Sequence, residues 1–155
     1  MIGLGYDTHR LVEGRPLILG GVRIEHELGL AGHSDADVLT HAVMDALLGA
    51  AGLGDIGEHF PDTDERWRDA DSIALLRRVA ELVADEGLRV VNVDATVVLE
   101  RPKVAPHRAA MRARLAEAIG LDERRVNVKA TTGEGMGFVG RAEGAAALAV
   151  AALEA

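Results

Sequence analysis

Cysteine is absent from this 155-residue chain, so disulfides and thiolate metal sites are excluded. Any metal must be held by His, Asp or Glu. Aromatic residues are scarce too, with one Trp, one Tyr and two Phe. That is too few to build stacking platforms for single-stranded nucleic acid. A basic surface is also missing. Twenty-five Asp and Glu outnumber 17 Lys and Arg, for a formal net charge of −8. This argues against a nucleic-acid partner, whose affinity rests on neutralising many phosphates. It leaves room for a phosphorylated small molecule, which a few local cations and backbone N–H groups can hold. No apolar run approaches the length needed to cross a bilayer. The N-terminal stretch MIGLGYDTHR lacks the pattern of a basic segment followed by an apolar one. The expectation is a soluble, cytoplasmic protein with no membrane partner.

What is present reads as one domain over residues 1–155. Ile2, Leu4 and Tyr6 alternate within a strand over 2–11. Pro16 to Ile24 reads as a short hairpin turning at Gly20-Gly21. A helix is expected from about Asp35 to Ala51, with Val38, Leu39, Ala42, Val43, Ala46 and Leu47 on its apolar face. Ser34 or Asp35 can cap it. Residues 52–70 form a Gly-, Pro- and Asp-rich loop, longer than most connections. A second helix runs from Ser72 to Glu86, capped by Asp71 or Ser72 and stopped by Gly87. A Val-rich strand follows over Leu88 to Glu100, then a third helix from Pro106 to Gly120 and a strand over Val126 to Thr131. The C-terminal GAAALAVAAL is ambiguous: alanine favours helix, while Leu148, Val150 and Ala152 fit one strand face. The sum is an α+β fold, a single mixed β-sheet with about three helices on one side.

Four clusters carry chemistry. Asp7 and His9 are spaced i, i+2 on a strand, so they present a carboxylate and an imidazole side by side. His33-Ser34-Asp35 leads into the helix that carries His41. Asp, His and His make a zinc triad with a fourth position open. Asp37 and Asp45, one turn either side of His41, are candidates to orient its ring. Asp55-Ile56-Gly57 and Phe60 to Asp64 read either as a turn-rich surface loop or as a lid whose carboxylates receive sugar-like hydroxyls. Lys129 to Gly135, KATTGEG, can offer hydroxyls and backbone N–H groups to phosphate, and Glu134 can hold a hard cation.

In order and spacing, these segments resemble the 2-C-methyl-D-erythritol 2,4-cyclodiphosphate synthase family along the whole chain. The resemblance rests on D-x-H at Asp7 to His9, H-S-D-x-D-V-x-x-H at His33 to His41 and D-A-L-L-G-A at Asp45 to Ala50. It continues through G-D-I-G at Gly54 to Gly57, F-P-D-T-D at Phe60 to Asp64, N-V-D at Asn92 to Asp94 and R-P-K at Arg101 to Lys103. It ends with N-V-K-A-T-T at Asn127 to Thr132 and G-F-x-G-R-x-E-G at Gly137 to Gly144. The resemblance implies a lyase that cyclises 4-diphosphocytidyl-2-C-methyl-D-erythritol 2-phosphate and releases CMP, a step of non-mevalonate isoprenoid synthesis. It implies zinc on Asp7, His9 and His41, and Mg²⁺ or Mn²⁺ at Glu134. His33 and Thr132 match positions that stabilise the transition state. Ser34, Asp55, Gly57, Phe60, Asp62 and Asp64 match contacts to methylerythritol and phosphate. Lys103, within Leu99 to Ala105, and Ala130, Thr131 and Thr132 match the cytidine diphosphate pocket, and Phe138 and Arg141 match further ligand contacts. It also implies a homotrimer with sites between subunits. Gly133 departs from the pattern, standing where many relatives carry Thr or Asn.

Overall fold

A computed structural model describes residues 1–155. Strands β1 (Ile2–Glu13), β2 (Leu17–Leu19), β3 (Val22–Ile24) and β4 (Leu28–Leu30) precede helix α1 (Val38–Ala51). The short α2 (Ile56–His59) and then α3 (Ser72–Asp85) lead to β5 (Arg89–Val98). Helix α4 (Arg108–Ile119), β6 (Val126–Thr131), the short α5 (Gly137–Gly140) and β7 (Gly144–Glu154) complete the chain. The main sheet has five strands in the order β4-β1-β7-β5-β6. Only the β5–β6 pair is parallel, so the sheet is mixed. The expectation of a single sheet needs correction: β2 and β3 form a separate two-stranded ribbon. Its turn is tied to the start of α1 instead, because the Gly20 and Gly21 N–H groups donate to the Asp37 carboxylate.

The ambiguous C-terminal segment is a strand. Ala145, Ala147, Ala149 and Ala151 are buried on one face, while Leu148 and Val150 are exposed on the other. Period-two burial against a helix outweighs alanine's preference for helix. Helix α1 starts at Val38, later than expected, and its cap is Asp37, not Ser34 or Asp35. Asp37 has extended backbone and accepts from Thr40 N, while Gly52 ends the helix in the left-handed conformation. Asp71 caps α3. Helix α4 begins at Arg108, after a 3₁₀ turn over Ala105–His107 that contains Pro106. The long loop holds α2 and a 3₁₀ turn over Glu65–Trp67. No helix is long and apolar enough to cross a membrane.

Helix α1 lies directly on β1 and β7. An added Cβ on Gly3 would fall 2.0 Å from Ala46 O, and one on Gly5 would fall 1.8 Å from Ala42 O. No side chain fits there unless the helix moves. The opposite face of the sheet is uncovered in one chain, leaving Ile2 77% and Leu4 67% exposed beside Tyr6, Leu148 and Val150. The close approach of α1 makes a direct prediction. Gly5→Ala should lower unfolding free energy by about 1–3 kcal/mol or more, the usual cost of overpacking, read from urea denaturation. A wild-type midpoint would show that α1 is free to shift.

Candidate metal centre and ligand cleft

Strand β1 projects Asp7 and His9 toward α1, the same side as the glycines at 3 and 5. His41 sits in the first turn of α1 and points back at them. Asp7 Oδ2, His9 Nε2 and His41 Nδ1 converge, with separations of 2.9 Å from Asp7 to His9, 3.0 Å from Asp7 to His41 and 3.1 Å between the two rings. The donors of a tetrahedral zinc site stand roughly 3.3 Å apart, so the cluster fits such an ion with little adjustment. One carboxylate and two imidazoles form a donor set suited to a divalent cation.

His9 is oriented by a backbone partner. Its Nδ1 donates to Ala31 O at 2.8 Å, which leaves the Nε2 lone pair facing the cluster when the ring is neutral. On the far side of His41, Nε2 lies 2.9 Å from Ser72 Oγ and 3.2 Å from Ser34 Oγ. The sequence singled out Asp37 and Asp45 as candidates to orient this ring, and neither touches it. Asp37 is fully buried and accepts from Gly20 N, Gly21 N, Thr40 N and Thr40 Oγ1. Asp45 accepts from Ile56 N and so ties α1 to the long loop.

Electrostatics follow from this packing. Burial alone would raise the Asp7 carboxyl, but hydrogen bonds from His41 and His9 outweigh it and hold the group at about 2. Burial works to lower His9, yet its bond to Asp7 prevails and the ring is raised above its ordinary value. The Asp7 carboxylate therefore stays ionised at neutral pH, beside a His9 ring whose protonated form is favoured. Burial pushes Asp37 and Asp45 upward.

A cleft of about 490 Å³ opens beside the cluster. Of the anticipated site residues, Asp7, His9, His33, Ser34, His41, Gly57, Phe60 and Asp62 line it. Trp67 and Met44 line it as well, and neither stands out in the sequence as a site residue. Trp67 meets Phe60 edge-on with ring centroids 5.1 Å apart, and the single Trp of an aromatic-poor chain, falling within this loop, was the available clue. His33 Nε2 donates to Asp64 O at 2.8 Å. Asp64 caps the 3₁₀ turn and is bound by Arg66, and Asp55 caps α2, so both carboxylates hold the loop's backbone.

The remaining anticipated residues lie elsewhere. Ala130, Thr131, Thr132 and Glu134 are exposed at the C-terminal end of β6 and in the loop after it, and Lys103 is exposed in the segment that follows the neighbouring strand β5. Cross-strand register runs from Thr8 through Ala146 and Val98 to Thr131, so both groups stand at one level of the sheet. Three strand spacings separate them, roughly 14 Å. Thr132 Oγ1 accepts from Glu134 N, and Glu134 has a φ of 54°. An added Cβ at Gly133 would meet Gly140 N at 2.7 Å, which accounts for glycine there: the loop is drawn tightly onto α5. Phe138 borders a separate depression with Tyr6 and Thr8, while Arg141 pairs with Glu143 at 3.0 Å.

Comparison with known proteins gives these features a family. A protein from Salinibacter ruber named 2-C-methyl-D-erythritol 2,4-cyclodiphosphate synthase is 65% identical over 153 residues, covering 99% of this chain and 98% of its own. A solved structure of a 2C-methyl-D-erythritol-2,4-cyclodiphosphate synthase in a CDP-bound form superposes with a TM-score of 0.91 at 42% identity, covering 99% of this chain and all of that one. The bifunctional IspDF of Campylobacter jejuni matches with a TM-score of 0.95 and 47% identity over 98% of this chain, which spans 41% of that longer protein. The sequence profile described as the YgbB family matches residues 1–154, and the chain belongs to that family.

Proposed function

We infer that this chain is a 2-C-methyl-D-erythritol 2,4-cyclodiphosphate synthase that acts in the cytoplasm, in non-mevalonate isoprenoid synthesis. The observation that carries this reading is the Asp7–His9–His41 cluster at the edge of a cleft walled by His33, Gly57, Phe60 and Asp62. The family membership and the names of its close relatives point the same way. The substrate is 4-diphosphocytidyl-2-C-methyl-D-erythritol 2-phosphate. A 2-phosphate oxygen forms a bond to the β-phosphorus, the bond from that phosphorus to the CMP oxygen breaks, and CMP departs with the electron pair.

The nucleophile is already anionic near neutral pH, so no strong base is needed. The barrier lies in bringing two anionic phosphates together and aligning attack in line. His33 and Thr132 offer donors to the phosphoryl oxygens as charge shifts toward the leaving group. Ser34, Asp55, Gly57, Phe60, Asp62 and Asp64 enclose the methylerythritol and its phosphate. Lys103 places a cation by the nucleotide diphosphate, with Ala130 and Thr131 beside it, and Phe138 and Arg141 complete the ligand's surroundings. Zinc on Asp7, His9 and His41, and Mg²⁺ or Mn²⁺ on Glu134, would supply the charge neutralisation that brings the phosphates together.

The distance between the two groups of residues favours a site shared between chains. One chain keeps its cluster and its Lys103–Thr132–Glu134 group three strands apart, and its uncovered apolar sheet face can be buried by copies of itself. The assembly is a homotrimer, as the family resemblance implies.

Three measurements test this reading. Phosphorus NMR of the reaction should show the cyclic diphosphate appearing with CMP. A linear hydrolysed phosphate would make the protein a phosphohydrolase, and no turnover would make it a binding module. Two variants, His41→Ala and Lys103→Ala, should each be nearly inactive yet still assemble. Dissociating and mixing them should restore activity, because some mixed interfaces carry two intact faces. No recovery would place the whole site in one chain. Zinc binding should depend on pH through His9. Zinc takes the neutral ring, and the His9 pKa is raised in the metal-free protein, so affinity should climb as pH rises through that value. Below it, the fall should approach about tenfold per pH unit, one proton displaced per zinc. Asp7, at about 2, stays ionised and contributes nothing in that range. A flat profile in a chelator competition assay would exclude His9 as a ligand.

A further inference from the structure

The orienting partner of His41 comes from a different helix. We propose that Ser72 and Asp35 form a positioning relay behind His41, in which the Asp35 carboxylate commits the Ser72 hydroxyl proton and the hydroxyl oxygen in turn receives the proton on His41 Nε2. The proposal rests on the reading of Asp7, His9 and His41 as a metal site.

The argument is one of donors and acceptors. An ionised carboxylate can only accept. Asp35 Oδ1 takes the Ser72 hydroxyl, and Asp35 Oδ2 takes the Ser72 backbone N–H at 3.0 Å. A single carboxylate therefore grips both donors of one residue and fixes its rotamer. With its proton spent, Ser72 Oγ can act toward His41 only as an acceptor. It lies 2.9 Å from Nε2, so Nε2 must carry the proton. Once a metal takes the Nδ1 lone pair, the one proton of the neutral ring belongs on Nε2, and Nδ1 is the atom facing Asp7 and His9. Ser34 Oγ, at 3.2 Å from Nε2, already accepts from Ala36 N at 3.2 Å and can take a share of the same proton.

Burial sharpens the arrangement. Ser72 is fully buried and His41 is 7% exposed, so water does not compete for these bonds. A tautomer with Nε2 bare would set two lone pairs against each other in a dry pocket, a costly arrangement. Metal-binding histidines commonly give their second ring proton to a carboxylate or carbonyl, which orients the ring and raises its basicity. Here a hydroxyl is interposed between ring and carboxylate. It lets α3, whose first residue is Ser72, lock a side chain on α1.

The test uses full-length protein and Zn²⁺ as the probe. In a chelator competition at one fixed pH, Ser72→Ala should bind zinc about 10- to 100-fold more weakly, the usual effect of removing such a partner. Asp35→Asn should weaken it in the same direction. Ser72→Thr, which keeps the hydroxyl, should retain most of the affinity. In ¹H–¹⁵N spectra of zinc-loaded wild type, the His41 Nε2 proton should be protected from exchange, and Ser72→Ala should lose that protection. A purely structural Ser72 would lower the thermal midpoint of the metal-free protein and leave zinc affinity and the ring proton unmoved. That result would overturn the relay. If Ser72→Ala fails to fold, the wild-type spectrum decides, because a bare Nε2 on His41 overturns the relay directly. A wild type that takes up no zinc would refute the metal assignment instead. The ¹⁵N spectrum of the metal-free ring would then still test the relay: protonated Nε2 supports it and bare Nε2 overturns it.

Discussion

The approach of α1 to β1 and β7 is the constraint on which the rest of the structure depends. Helices usually rest on a sheet through a layer of side chains, but here the backbone of α1 meets the strand at Gly3 and Gly5. Alanines at 145, 147, 149 and 151 give β7 the same low profile. The short distance is what lets His41, in the first turn of α1, touch Asp7 and His9 at about 3 Å. A bulkier layer would lift the imidazole away from the strand and open the cluster.

The polar residues around this contact divide into those that build and those that act. Asp37 anchors the β2–β3 turn and starts α1, Asp45 fastens the long loop, and Asp35 holds the first residue of α3. Each satisfies backbone N–H groups that would otherwise be stranded at helix ends and turns. Asp7 and His9 have little such duty. They sit half-buried with their functional atoms turned to the cleft and to His41. Asp7, Asp35, Asp37 and Asp45 thus differ in role by their partners.

Much of the element order was legible from pattern. The strand 2–11, the hairpin near Gly20-Gly21, the second helix with its Asp71 cap and the strand at 126–131 follow from alternation, turn residues and capping chemistry. The C-terminal segment was not, because GAAALAVAAL satisfies both periods. Only contact with α1 on one face decided for strand. The start of α1 was misplaced by a few residues because Ser34, Asp35 and Asp37 are all good caps. The hairpin turn that claims Asp37 lies 16 and 17 residues earlier in the chain.

The sequence by itself determined the chemistry available: no thiolate, an acidic chain, and Asp-x-His followed by a helical His in the order of one family. It determined which residue types face one way along a strand, since that depends on a period of two. It did not determine partners. Which atom of His41 faces Asp7 and His9 depends on Ser72 and Asp35, 37 residues apart from each other and held on different elements. The spacing between the cluster and the Thr132 group depends on β7 and β5 lying between β1 and β6. Hydrogen bonds and strand order are set by distance in space, and chain separation does not encode that distance until the sheet and helices have packed.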